Sequence, residues 1–307
     1  MEKAHYDYII IGAGAAGLAS AGYAGRGGLK TVVLEEAAAG GQLMQISDLE
    51  NYPGVFPAVN GFQLIENMRK QAEAFGAEIK TEQVTSIDKS GDDFVVVTKK
   101  MTYSAPCLCI ATGAAHRELG VPGEKELAGR GVSYCAVCDG PFFRNKKIMV
   151  IGGGDSACTE AIYLASLSDD VSIVHRRDAF RAQKGVVDKM LDAGVKPVYD
   201  SVLKSVNGDQ RVQSVSLENV KTGEVSDVPC DAVFVFVGMN PRTGLFEMVP
   251  KDKGGYILTD ENMETSIPGL FAAGDVRSKS FRQIVTACAD GAIAANSARA
   301  RIELGKK

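Results

Sequence analysis

The pattern that most constrains this chain is one it carries twice. An apolar strand, Tyr8 to Ile11, runs into Gly12-x-Gly14-x-x-Gly17 and an alanine-rich helical stretch; the next strand, "KTVVLEE", reaches an acid at Glu35, 23 residues after Gly12. Later, "KKIMVIGGGDSACTEAIYLASL" repeats the arrangement. It gives a strand through Ile151, Gly152-x-Gly154-x-x-Ala157, a helix, and a strand "VSIV" that ends at His175, again 23 residues after its first glycine. Such glycines permit a tight turn, let backbone N–H groups approach a pyrophosphate, and let helix and strand pack closely. One such motif alone is a weak signal, but strand, helix and strand end in register make it a dinucleotide site. The reading is an α/β chain with two Rossmann-like dinucleotide-binding domains. A length of 307 residues fits two domains at about 150 residues each.

The two units end differently. Glu35 stands where a carboxylate accepts hydrogen bonds from ribose hydroxyls. The second unit ends in "HRRDAFR", where His175, Arg176, Arg177 and Arg181 offer a clamp for a 2′-phosphate, although Asp178 nearby is the acid that plain NAD would use. The basic run favours NADPH. Two dinucleotide sites of opposite character imply two different dinucleotides, the pair needed to pass hydride from a nicotinamide to a flavin.

Composition removes other classes. The net charge of −4 gives no electrostatic reason to expect nucleic acid. The uncharged run Tyr8 to Gly25 holds five glycines and follows Asp7, so it reads as a strand-turn-helix rather than a secretory signal or membrane span. Seven cysteines in so long a chain do not make a secreted disulfide scaffold, and a reducing cytoplasm is expected. Two of them stand in "SYCAVCDG", where Cys135-x-x-Cys138 is half a zinc site, a structural staple or a redox pair.

Over essentially its whole length the chain resembles the low-molecular-weight, bacterial-type thioredoxin reductases, which are pyridine nucleotide-disulfide oxidoreductases. The residues that carry the likeness are the first glycine motif, "GGQL" from Gly40, "ENYPG" from Glu50, "ATG" from Ala111, "CAVCDG" from Cys135 and "GGGDSA" from Gly152. "HRRDAFRA", "GLFAAGD" ending at Asp275 and "RQIVTACADGAIAA" from Arg282 complete them. By this resemblance FAD lies on the first domain, with Glu35 on its ribose. Ala15, Ala16, Gly40, Gly41, Gln42, Asn51, Val84, Thr112 and Gly113 would line the site. Gly274 and Asp275 would meet the ribityl or pyrophosphate region, and Arg282, Gln283 and Ile284 would lie near the isoalloxazine. On the NADPH side, Asp155 and Ser156 join Gly152 and Gly154. The return of flavin residues near the end implies a split FAD domain, 1–117 and 246–307, with three-layer ββα domains. The NADPH domain, 118–245, is inserted and carries the C-x-x-C, with crossings near "AAHRELG" and "NPRTG".

The resemblance also supplies a use for Cys135 and Cys138, and the residues agree. Zinc needs four ligands, yet Cys107 and Cys109 in "PCLCIATG" read as one face of a buried strand and the histidines are isolated, so no metal is expected. Two residues between cysteines on a helical first turn bring the sulfurs within bonding reach, and the helix N-terminus favours a thiolate. Cys158, Cys230 and Cys288 read as buried thiols. By resemblance NADPH reduces FAD, FAD reduces the Cys135–Cys138 disulfide, Cys138 faces the flavin, and Cys135 attacks the disulfide of thioredoxin. Asp139 would be the acid/base for the leaving thiolate, and Arg130, Phe142 and Phe143 would dock the protein substrate on a homodimer. A related flavoprotein disulfide reductase or dithiol oxidase with another thiol substrate stays open.

Overall fold

The computed structural model describes residues 2–46, 49 and 51–305; Glu50 of "ENYPG" lies outside them. The chain divides into two compact units, Met1–Ala115 with Asn240–Lys307, and His116–Met239. Among the described residues no helix is long and apolar enough to cross a membrane.

The first unit is built on a five-stranded parallel sheet in the order Leu270–Ala272, Cys107–Ile110, Tyr8–Ile11, Thr31–Glu35, Glu78–Thr81. All but the edge strand Glu78–Thr81 are buried on both faces, which is why they read as nearly unbroken apolar runs. Alternation sorts their side chains: Tyr8, Ile10, Cys107 and Cys109 face one core, Ile9, Ile11, Leu108 and Ile110 the other. The helices Ala15–Arg26, Gly61–Ala74 and Ile284–Gly305 contribute to the first core. A four-stranded sheet of Glu2–His5, Met101–Ala105, Asp93–Thr98 and Val84–Ser90 closes the second. Helix Ala15–Arg26 and helix Ile284–Gly305 cross in close contact. A Cβ on Gly291 would stand 2.1 Å from the Ala16 carbonyl oxygen, so only glycine allows that approach.

The second unit repeats the plan. Its parallel sheet runs Val132–Ser133, Ala232–Phe236, Ile148–Gly152, Val171–Val174, Lys196–Val198. Helices Asp155–Ala165 and Lys184–Asp192 pack on one face, and an antiparallel sheet of Ser201–Asn207, Ser214–Asn219 and Val225–Pro229 packs on the other. Each unit is thus a three-layer Rossmann-like domain, and the second is inserted in the first.

Candidate redox and dinucleotide sites

In the first unit Gly12 sits at φ +105°, and a Cβ there would meet the Ala111 carbonyl oxygen at 2.4 Å. Gly17 approaches Gly12 so closely that its Cβ would stand 1.9 Å from the Gly12 oxygen. Gly14, by contrast, faces open space at the start of helix Ala15–Arg26, where the first N–H groups and the helix dipole favour an anion. Ala15 and Ala16 are buried in the first turn of that helix. Glu35, half-buried at its strand end, takes the Ala13 N–H on Oε2 at 2.7 Å and the Ala37 N–H on Oε1 at 3.3 Å. It therefore holds the glycine loop and keeps acceptor capacity for ribose hydroxyls.

The other residues expected around this site lie as follows. Gly40 donates its N–H to the Ala13 oxygen at 2.9 Å, and Gly40 and Gly41 both have positive φ. Gln42 Nε2 donates to the Ala114 oxygen at 2.6 Å, Thr112 Oγ1 to the Arg242 oxygen at 2.7 Å, and Asn51 Nδ2 to Gln283 Oε1 at 3.3 Å. Gly113 has φ +67°, Val84 is buried at the start of its strand, and Ile284 begins the long helix. Gly274, at φ +81°, gives its N–H to Asp290 Oδ2 at 3.1 Å. Asp275 Oδ1 and Arg282 Nε are buried yet make no hydrogen bond among the described residues, though Lys279 Nζ stands 3.3 Å from that oxygen. The Arg282 guanidinium lies 4.0 Å over the Tyr256 ring. The open helix N-terminus at Gly14, the Glu35 carboxylate, and the buried Asp275 Oδ1 and Arg282 Nε, which make no hydrogen bond among the described residues, fit a flavin dinucleotide.

In the second unit a Cβ on Gly152 would meet Ala157 Cβ at 2.5 Å, which is why alanine suits the third place of this motif. Gly154 caps helix Asp155–Ala165, and the nearest atom to its missing Cβ is Arg181 Nη2 at 3.9 Å. Asp155 is engaged by the Gln183 N–H at 2.7 Å, and Ser156 is exposed in the first turn. Arg176, Arg177 and Arg181 are exposed. His175 departs from the expected clamp. It is 6% exposed, its Nδ1 lies 3.1 Å from the Gly152 oxygen, and it stacks on Phe180. Burial lowers its pKa, and Arg181, Arg176 and Arg177 add to that, outweighing the Gly152 contact. A neutral, buried ring cannot serve as a cation for phosphate. The exposed cations at this strand end are Arg176, Arg177 and Arg181.

Cys135 and Cys138 form a disulfide with Cα atoms 5.3 Å apart. Cys135 is the N-cap of the single-turn helix Ala136–Asp139, where Cys138 N–H points at its Sγ, 3.3 Å away. Asp139 ends that turn and accepts a hydrogen bond from Ser133 Oγ at 2.6 Å. Burial raises the Asp139 pKa and the serine only partly offsets this. A carboxyl whose hold on a proton is strengthened by burial, one residue from a disulfide, is suited to give a proton to a departing thiolate. The free cysteines contrast: burial pushes Cys107, Cys109 and Cys230 up to about 12 and Cys158 to about 11, so they are unreactive. Arg130 and Phe142 are exposed, whereas Phe143 packs edge-on against Phe234 at 5.9 Å. Among the described residues no three His, Cys, Asp or Glu side chains converge as a metal site. Sequence reasoning missed Ser133, Lys279, Asp290 and Tyr256: Ser133 and Asp290 lie inside quoted motifs but were given no role, and Lys279 and Tyr256 lie outside them.

The family model for the pyridine nucleotide-disulphide oxidoreductases matches residues 6–291. The chain belongs to that family, in its low-molecular-weight thioredoxin reductase branch. It is 53% identical to the thioredoxin reductase of Treponema pallidum over 299 residues, 97% of each chain. It is 46% identical to that of Listeria innocua over 306 residues, 98% of this chain and 95% of the relative. Among solved structures, thioredoxin reductase from Streptococcus pyogenes matches with a TM-score of 0.91 at 47% identity, covering 98% of this chain and 99% of that one.

Proposed function

We propose that this enzyme uses NADPH, by way of FAD, to reduce the disulfide of thioredoxin through Cys135 and Cys138. The observation that carries the reading is the cysteine turn itself: a disulfide at a helical N-terminus beside a half-buried carboxyl with a raised pKa. The unit Met1–Ala115 with Asn240–Lys307 would hold FAD through Gly12, Gly14, Gly17, Glu35, Asp275 and Arg282. The unit His116–Met239 would hold NADPH through its glycine turn, with Arg176, Arg177 and Arg181 on the 2′-phosphate. Bound FAD supplies the electron pair that opens the Cys135–Cys138 disulfide.

The chain's own residues do the rest. Once the pair is reduced, the Cys135 thiolate attacks one sulfur of the substrate disulfide, forming a mixed disulfide and releasing a thiolate. Asp139 gives that thiolate its proton, and Cys138 then attacks Cys135 sulfur, restoring the starting disulfide and freeing the second substrate thiol. The exposed Arg130 and Phe142 suit a docking patch for a protein substrate. By likeness to its family the enzyme would act as a homodimer, and the five cysteines outside the disulfide favour a reducing cytoplasm.

The test is NADPH consumption with and without oxidised thioredoxin, for the wild type and Cys138→Ser. The wild type should consume NADPH only with thioredoxin, and NADH should substitute poorly. Cys138→Ser should still pass hydride to its flavin yet fail to reduce thioredoxin. Turnover on a small disulfide but never on thioredoxin would point to another thiol substrate.

A further inference from the structure

We propose that Ser133 is the positioning residue of the cysteine turn, its hydroxyl joining the Cys135 backbone to the Asp139 carboxyl in one hydrogen-bonded chain. Ser133 ends the two-residue strand Val132–Ser133 and is 4% exposed. Its Oγ accepts the Cys135 N–H at 3.1 Å and stands 2.6 Å from Asp139 Oδ2. A hydroxyl has one hydrogen to give. The alternative acceptor, the Cys135 oxygen, is at 3.3 Å, so the shorter contact to Asp139 takes it. The N–H received from Cys135 polarises the hydroxyl and strengthens what it donates, because linked hydrogen bonds in a low-dielectric site reinforce each other. One buried side chain therefore aims the proton donor and fixes the entry of the nucleophile's turn.

The same contact tunes the acid. Burial raises the Asp139 pKa, and donation from Ser133, which favours the carboxylate, pulls it back. Few charges compete. The neighbouring strand Ala232–Phe236 and the turn Gly140–Phe143 carry no titratable side chain. Helix Asp155–Ala165, which packs on this turn, brings Asp155, tied to the Gln183 N–H, and Glu160, whose own carboxyl is raised by burial. The same helix brings Cys158, whose thiol burial pushes up to about 11, and Tyr163, whose ring lies against Gly140. Tyr134, its phenol raised by burial, and Cys135 and Cys138 when reduced are the other titratable groups of the turn. None of these carries a charge near neutral pH except a cysteine thiolate. Without Ser133, Asp139 would hold its proton to higher pH. Because the acid works protonated, the alkaline limb of the activity profile would move up.

The inference rests on the role proposed for Asp139, and the experiment separates the two. The pH dependence of kcat/KM for thioredoxin is measured on the holoenzyme for wild type, Ser133→Ala, Ser133→Val, Ser133→Thr and Asp139→Asn, with melting temperatures alongside. Valine and threonine have nearly the same shape and suit a strand, so they differ in the hydroxyl alone should alanine fold poorly. The expected result is an upward-shifted alkaline limb in the alanine and valine variants, restoration by threonine, and loss of the limb together with most of the activity in Asp139→Asn. If alanine and valine keep the wild-type profile while Asp139→Asn is inactive, Ser133 is only a packing residue. If Asp139→Asn keeps the wild-type rate and profile, the acid role itself fails.

Discussion

Nδ1 of His175 lies 3.1 Å from the carbonyl oxygen of Gly152, so the residue just past the strand Val171–Val174 closes back onto the first glycine of the dinucleotide turn. The ring also fills the space beside Gly153, where a Cβ would meet Nδ1 at 2.1 Å. Nδ1 carries the hydrogen in this arrangement, and Nε2 is buried without a hydrogen-bond partner among the described residues. Acid must place the second proton on Nε2, in a site that disfavours it, next to three arginines. The folded-state pKa thus lies below that of the unfolded chain, so the unfolded state binds more protons in the window between them. Stability is full above an unfolded histidine value of about 6.5 and falls as pH drops below it. Urea midpoints from about pH 7.5 to 5.5 should decline for the wild type. Most of that slope should vanish in His175→Phe, which can keep the stack on Phe180. An unchanged slope would mean that other groups govern it.

A second prediction concerns Asp290, 6% exposed on helix Ile284–Gly305. Its Oδ1 meets Arg277 Nη1 at 2.9 Å, while Oδ2 meets Lys279 Nζ at 3.1 Å and the Gly274 N–H at 3.1 Å. One carboxylate thus ties three points of the Gly274–Arg282 segment to the helix. Removing it leaves two largely buried cations, of which Lys279 alone keeps a neighbouring carboxylate, that of Asp275, among the described residues. Breaking a buried ion pair on one side costs roughly 3–5 kcal/mol. Asp290→Ala should lose stability of that order and retain less flavin after dialysis, read from the ratio of flavin to protein absorbance. A loss within about 0.5 kcal/mol, the ordinary surface range, would show the cluster to be hydrated and loose.

Phe142 and Phe143 are adjacent in sequence but differ in kind. Phe142 is 49% exposed, whereas Phe143 packs its ring against Phe234 in the core of the second unit. Phe142→Ala should raise KM for thioredoxin several-fold and leave the melting temperature nearly unchanged. Phe143→Ala should destabilise by about 2–3 kcal/mol, less than a fully buried phenylalanine would. If both variants changed only KM, Phe143 would belong to the docking surface instead.

That pair shows where the sequence stops being informative. Both phenylalanines stand in "GPFF", and no periodicity separates neighbours on one tight turn. The glycine motifs were legible because a turn at φ +105° or a contact at 1.9 Å leaves no choice of residue. Strand ends were legible through spacing, which located Glu35 and His175 but not what each does. The "HRR" run read as one cationic cluster, although its first member turns inward onto the Gly152 carbonyl and the Phe180 ring. Ser133 was hidden because a strand of two residues has no pattern. Asp290 and Lys279 were hidden because ion pairs across a loop depend on tertiary approach.

The last prediction concerns cofactor choice. With His175 neutral and buried, the cations left at the strand end are Arg176 and Arg177, both exposed, with Arg181 beside the helix N-terminus at Gly154. A ribose 2′-phosphate gains charge-assisted hydrogen bonds from such guanidinium groups, roughly ten- to a hundredfold in affinity for each. A ribose hydroxyl offers no such partner, and Asp178, the acid that could read it, is turned to solvent with Lys221 at 4.0 Å. Replacing Arg176 and Arg177 together by glutamine should raise KM for NADPH by about a hundredfold or more while leaving that for NADH within a few-fold. Turnover at saturation should barely change, because the adenosine end is remote from the hydride. His175→Asn, in contrast, should weaken NADPH and NADH alike, since both need the glycine turn that the imidazole supports. Equal losses with both nucleotides in the double arginine variant would mean that these arginines serve the fold, and a wild type that prefers NADH would return the reading to Asp178.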